Sequence, residues 1–248
     1  MTWLIMLPAR AMVNVRQMRY GARMLSVVIP TLNVAGSLPS VLLALYEPAL
    51  DGLVRQVVIA DGGSIDATLK VADDAGCDVV SSRPGRGTQL AAGAQKARAD
   101  WLLFLHADTV LQPGWEAEVR RFVGRQGPEK AAAFRFALDD DRLRARLLEW
   151  AVALRVRIFA LPYGDQGLLV SRRLYDRIGG FSDMPIMEDV DFVRRVGRRR
   201  MKRLQTKAVT SAERYAEKGY ARRVIRNAGC LVLFSLGISP DLIRRVYG

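Results

Sequence analysis

With one histidine and two cysteines in 248 residues, the chain has few soft metal ligands and few nucleophiles. That scarcity excludes a zinc site of the Cys/His kind, which needs four such ligands. A Ser-His-Asp triad would have to use His106, and no G-x-S-x-G elbow presents a serine to it. Cys77 and Cys230 are too few for a disulfide framework. No apolar run reaches the roughly 20 residues that span a bilayer. The stretch "WLIMLPA" is short and lacks a basic lead-in, so it makes a poor signal peptide. The expected location is cytoplasmic. Acid is missing in two places. Residues 1–23 hold Arg10, Arg16, Arg19 and Arg23 with no Asp or Glu, and the basic stretch from Arg194 to Lys207 holds none either. Within a net charge of +13, such blocks suit phosphates, acidic lipid headgroups or nucleic acid. A solvated helix face accounts for them equally well.

What is present points to a folded α/β chain. Half the residues are hydrophobic, enough for a sizeable core, and the length suits one decorated domain or two small ones. "LSVVIP" reads as a buried strand closed by Pro30. A helix follows over "AGSLPSVLLALYEPAL", with Ser37 as its cap and Pro39 in its first turn. "VRQVVIA", "CDVVSS" and "WLLFLHAD" are further strands. "DATLKVADDAG", capped by Asp66 and stopped by Gly76, and "GTQLAAGAQKARA" are the helices between them. Strand and helix in alternation imply a mostly parallel central sheet flanked by helices, built from right-handed βαβ units. The second half is less regular: "AAAFRFAL" alternates like a strand, residues 141–160 are helical, and "EDVDFVRRVGRRR" is a helix with carboxylates at its start. Residues 1–23 read as a loose extension or a misassigned start. Residues 24–215 form the domain, and 216–248 a helical C-terminal segment that is a lid, a membrane-associating element or a core helix.

The hydrophobic run "LLFLHADT" ends in His106 and Asp108. On a strand the two would point to one side, at the carboxyl end where open α/β sheets collect ligands. A plain strand end followed by a turn explains the pair equally well. The usual nucleotide signatures are missing: "PTLNVAGS" after the first strand is no G-x-G-x-x-G, "PGRGTQLAAG" has its third glycine misplaced, and no Walker A motif occurs.

An ordered set remains: "VVIPTLN", "VVIADGGSIDAT", "RPGRGTQLAAGAQKARADWLLFLHADT" and "MPIMEDVDF". From about Leu25 to Arg200 the chain resembles the family 2 glycosyltransferases, which have the GT-A type of Rossmann-like fold. Within them it looks most like small bacterial members carrying "HAD", "YGDQG" and "MED". The resemblance implies an inverting transfer of a sugar from a nucleoside diphosphate-sugar to an acceptor hydroxyl. Pro30, Thr31, Asn33 and Asp61 would hold the nucleotide, and Asp61 could accept from a pyrimidine N3–H, favouring uridine or thymidine. Asp108 would ligate Mg²⁺ or Mn²⁺, which keeps waters and needs only one or two carboxylates. His106 stands where the family has its first aspartate, and could bond ribose or ligate the metal. Arg83 and Arg86, beside a glycine-rich turn, would approach phosphate. Asp189 matches the family's base, with Glu188 orienting it or binding acceptor. Asp165, with Gln166 beside it, would face donor sugar or acceptor. The basic blocks and the apolar C-terminal run allow a peripheral contact with an anionic membrane.

Other classes fit less well. Nucleotidyl transfer expects a glycine- and lysine-rich loop after the first strand, which "PTLNVAGSL" lacks. A nucleic-acid binder expects aromatics among its basic residues, and none stands between Arg194 and Lys207. A sugar-nucleotide binder without turnover stays open because of His106.

Overall fold

Short runs of valine, isoleucine and leucine, each closed by a turn, build the first half of a central sheet. A computed structural model describes residues 25–212 and 219–247. The extension expected over residues 1–23, and the boundary expected at 215–216, lie outside the described residues. Strands β1 (Leu25–Thr31), β2 (Val54–Asp61), β3 (Asp78–Ser81) and β4 (Trp101–Phe104) pair in parallel, in the order β3-β2-β1-β4. Helices α1 (Leu38–Leu50), α2 (Thr68–Asp74) and α3 (Arg86–Lys96) connect them. Alternate residues of one strand feed opposite cores. Val27 and Ile29 pack with Leu38 and Val41 of α1, while Val28 packs with Leu90 and Ala94 of α3. Helix α3 lies so close that a Cβ on Gly93 would sit 2.4 Å from Val28 Cγ1. Pro39 falls in the first turn of α1 as expected, but the Ser37 side chain makes no capping bond. Asp66 does serve the start of α2, accepting from the Thr68 N–H at 2.9 Å.

The second half continues the same sheet with mixed direction, giving the full order β3-β2-β1-β4-β7-β6-β8-β5. The added strands are β5 (Thr109–Leu111), β6 (Ala131–Leu138), β7 (Leu168–Ser171) and β8 (Met201–Thr210). The added helices are α4 (Trp115–Gln126), α5 (Leu143–Phe159), α6 (Arg172–Arg177), α7 (Glu188–Val196), α8 (Tyr220–Ser235) and α9 (Pro240–Tyr247). Strand β7 runs antiparallel to both neighbours, and β8 is parallel to β6.

Two sequence expectations change here. The fourth strand stops at Phe104, so His106 and Asp108 sit in the turn before β5 and owe nothing to strand alternation. The basic block from Arg194 is no single helix face; it crosses the end of α7, a turn, and β8. Strand β8 was hidden because its pattern is broken. Its register against β6 shifts between Ala133 and Arg135. The loosened N–H groups of Gln205 and Thr206 are collected by the Glu118 carboxylate of α4, at 2.7 and 2.9 Å. Among the described residues no helix is long and apolar enough to cross a membrane.

Candidate active site

The carboxyl ends of β1 and β2 form a hydrogen-bonded shelf. Asp61 is buried, and all its acceptor positions are taken. Oδ1 accepts the Thr31 hydroxyl at 2.9 Å and the Ser64 hydroxyl; Oδ2 accepts the N–H groups of Gly63 and Ser64, each at 2.8 Å. Burial alone would raise its pKa, but the donors of Ser64, Gly63 and Thr31 hold it below the ordinary value. The expected bond from a base N3–H therefore finds no open lone pair unless the Ser64 hydroxyl turns away. Asn33, in the left-handed region at φ 52°, accepts the Ile65 N–H at 2.9 Å and so ties this shelf to the loop after β2. Gln89 of α3, unnoticed in the sequence, is buried and donates to the carbonyls of Thr31 and Ala60 at 2.7 and 2.9 Å. It joins the end of β1, where Pro30 and Thr31 lie, to the end of β2.

A cleft of about 130 Å³ opens beyond β4, and His106, Asp108, Asp165, Glu188, Asp189 and Arg86 all line it. Helix α7 begins abruptly, with Met187 at φ 65°, and this puts two successive carboxylates at the cleft. A non-glycine residue held there is the kind of strain that clusters at functional sites. The two carboxylates differ in surroundings. Glu188 is 1% exposed and faces the Arg86 guanidinium at 3.5 Å. Burial pushes its pKa up against the pull of Arg86, and Asp189 adds to the rise. Asp189 is half-buried, and its Oδ2 accepts the Gly164 N–H at 2.8 Å. Gly164 also lies against the imidazole: a Cβ there would sit 2.6 Å from His106 Nε2. Thus a loop glycine fixes the spacing between His106 and Asp189.

Some expected residues stand elsewhere. Arg83 is exposed and paired with Asp183 at 2.9 Å, and it does not line the cleft. Gln166 is buried; it donates to the Phe134 carbonyl at 3.0 Å and accepts the Tyr163 N–H at 3.2 Å, so it braces its own turn and is not turned to a ligand. Pro30, Thr31, Asn33 and Asp61 belong to the shelf and are not among the cleft's lining residues. Conversely, Tyr163, Thr210 and Asn227 line the cleft without having been singled out, alongside Arg223 from the basic start of the C-terminal stretch, whose arginines could cover a diphosphate. Tyr163 was legible in "YGDQG", since it precedes the glycine that the turn requires. The others come from β8 and α8, which no motif marks.

The donor set suits a small hard cation. Asp165 Oδ1 is buried and accepts no hydrogen bond among the described residues, and Asp108 lines the same cleft. Among the described residues no three His, Cys, Asp or Glu side chains cluster tightly enough to hold a metal by themselves. Asp108 and Asp165 together would suit Mg²⁺ or Mn²⁺, which binds through one or two carboxylates and completes its shell with water and phosphate oxygens.

An eight-stranded sheet with a parallel first half, an antiparallel strand after it and a carboxylate-lined cleft at the strand ends is a GT-A glycosyltransferase architecture. Residues 26–201 match the model of the Glycosyl transferase family 2, and the chain belongs to that family. It is 30% identical over 188 residues to a PGL/p-HBAD biosynthesis glycosyltransferase of Mycobacterium bovis, covering 69% of this chain and 68% of that one. A shorter stretch of 97 residues is 34% identical to glucosyl-3-phosphoglycerate synthase of Mycolicibacterium paratuberculosis, covering 36% and 29%. The crystal structure of glucosyl-3-phosphoglycerate synthase from Mycobacterium tuberculosis with Mn²⁺ and UDP-glucose superposes with a TM-score of 0.58 at 25% identity, over 87% of this chain and 80% of that one. The same enzyme has also been seen with Mg²⁺ and UDP.

Proposed function

We propose that this glycosyltransferase moves a sugar from a uridine diphosphate-sugar to an acceptor hydroxyl, with inversion at the anomeric carbon and Asp189 as general base. The observation that carries the reading is the convergence of Asp108, Asp165, Asp189 and Arg86 on one cleft at the strand ends. A divalent ion held by Asp108 and Asp165 would offset the charge that gathers on the leaving diphosphate. Arg86, at the first turn of α3, adds positive charge on the same wall. Of the two carboxylates on α7, Asp189 is the reachable one, whereas Glu188 is buried against Arg86. The Gly164 N–H occupies one oxygen of Asp189 and aims the side chain. An acceptor hydroxyl in the cleft would give its proton to Asp189 as it attacks the face of the sugar opposite the diphosphate. Uridine is favoured because the superposable synthase is seen with UDP and UDP-glucose. The Thr31–Asp61–Asn33 shelf would receive the base once the Ser64 hydroxyl rotates.

The test is Asp189→Asn, which keeps shape and loses proton acceptance. Released UDP is measured over a panel of UDP-sugars and acceptor hydroxyls, with donor affinity read by calorimetry. Turnover should fall by about 10²- to 10⁴-fold with donor affinity nearly unchanged. Near-normal turnover would sink the base assignment. Tight donor binding with no release from the wild-type chain under any pairing would favour a binding protein.

A further inference from the structure

Helix α5 carries two apolar faces, and only one of them has a partner among the described residues. Ala145, Val152 and Val156 are buried against Phe136 and Leu138 of β6. On the other side Leu143, Leu147, Trp150, Leu154 and Ile158 follow one another at four- and three-residue steps, which at 3.6 residues per turn makes a single stripe along the helix. All five stand in solvent; Leu143 is 75% exposed and Trp150 66%. A contiguous run of this kind marks an interaction site.

The charges around the stripe select its partner. Arg157 is exposed beside it, and Arg144, also exposed, lies over the Tyr220 ring at 4.7 Å. At the C-terminal end Arg198 donates to the Ile158 carbonyl at 2.7 Å, which brings the exposed turn Arg198, Arg199, Arg200 to the end of the stripe. Of the nearby acids, Asp140 pairs with Arg142, Asp141 and Glu149 share Arg146, and Asp139 accepts the Ala212 N–H. We propose that this face of α5 docks on an anionic lipid bilayer. Aliphatic side chains and a central tryptophan flanked by arginine are what an interfacial helix presents to headgroups and acyl chains. The docking has a direct route to the cleft. Arg155 of α5 donates to the Leu161 carbonyl at 3.2 Å and lies over the Tyr163 ring at 3.5 Å, and Gly164 and Asp165 follow at once. A docked α5 would therefore hold the cleft near the membrane surface. The vesicle contact itself does not depend on the transfer reaction.

The test is cosedimentation of the full chain with phosphatidylcholine vesicles, with and without phosphatidylglycerol. The wild-type chain should bind the anionic vesicles and be released by salt. Trp150→Glu and Leu147→Glu should each weaken binding by at least about tenfold, as expected when one large apolar side chain no longer enters the interface. Leu43→Glu alters an equally exposed leucine on α1 and should change nothing; it controls for added negative charge. Melting curves identify any variant that fails to fold, and Leu147→Glu decides if Trp150→Glu does. A folded stripe variant that binds like the wild type overturns the proposal. So does a wild-type chain that stays in the supernatant at low salt, or a Leu43→Glu protein weakened as much as the stripe variants. If a stripe variant instead splits a dimer in sedimentation equilibrium and leaves vesicle binding intact, the face belongs to a second copy and the proposal fails.

Discussion

Gly164→Ala offers a sharp perturbation, because one methyl group enters the gap between the base candidate and the only histidine. Gly164 does not occupy the left-handed region, so alanine fits the backbone there. Its Cβ would lie 2.6 Å from His106 Nε2 and 3.5 Å from Asp189 Oδ2. The second distance is an ordinary contact. The first is not, and an ordinary contact begins near 3.4 Å, so the imidazole must retreat by about 0.8 Å. The retreating atom is the far end of a side chain, so the fold should survive at a cost of about 1–3 kcal/mol. For a chain of this size that lowers Tm by roughly 2–4 °C per kcal/mol. A misplacement near 1 Å in a reacting site costs about 10²-fold in rate. Turnover should therefore drop about a hundredfold, far more than the modest loss of stability explains. A chain with one histidine gives one set of imidazole resonances, so NMR reads the displacement directly. Unchanged imidazole shifts would refute the packing argument. Shifted resonances with normal turnover would show that the position of His106 is irrelevant to the reaction.

Further outcomes can be measured. Asp108→Ala should weaken metal-dependent binding of UDP in calorimetry while leaving the melting curve in place; equal affinity with and without Mn²⁺ in both proteins would remove Asp108 as a ligand. Burial raises the Asp165 carboxyl from 3.8 to about 6, with Asp189 and Asp108 adding to the rise and Arg155 and Arg86 opposing it. As pH climbs from about 4 to 6 the unfolded chain ionises first, so the native state loses stability across that window, by at most about 3 kcal/mol. Metal-free Asp165→Asn should thus melt above the wild type at pH 8 and beside it at pH 4; the same gap at both values would contradict the burial argument. Glu118→Ala leaves the Gln205 and Thr206 N–H groups of β8 without their acceptor, and should cost about 2–4 kcal/mol in denaturant unfolding. A loss below 0.5 kcal/mol, the scale of an ordinary surface substitution, would mean that water replaces the carboxylate.

The sequence by itself determined the local grammar of the first half. Runs such as "LSVVIP" and "VRQVVIA" are too apolar for a surface strand, and the short links between strand and helix allow little but parallel pairing. The acidic segments at Asp61, Asp108 and Glu188 stood out only through their resemblance to family 2 glycosyltransferase motifs, because pattern alone also fits a strand end or a helix start. Tertiary structure decided everything that depends on partners far apart in the chain. Strand β8 has a broken pattern; its pairing with β6 and β5 holds it, and Glu118 on α4 satisfies the backbone at the break. Asp61 looked open to a nucleobase, but the Thr31 hydroxyl, 30 residues away in sequence, fills one of its lone pairs. Gln166 looked like a contact residue until the Phe134 carbonyl claimed its amide. The resemblance gave Asp189 and Glu188 separate roles, but only the fold gives them separate surroundings, Gly164 meeting one and Arg86 the other. A side chain's type is local, but its remaining hydrogen-bonding capacity and its exposure depend on what the fold packs around it.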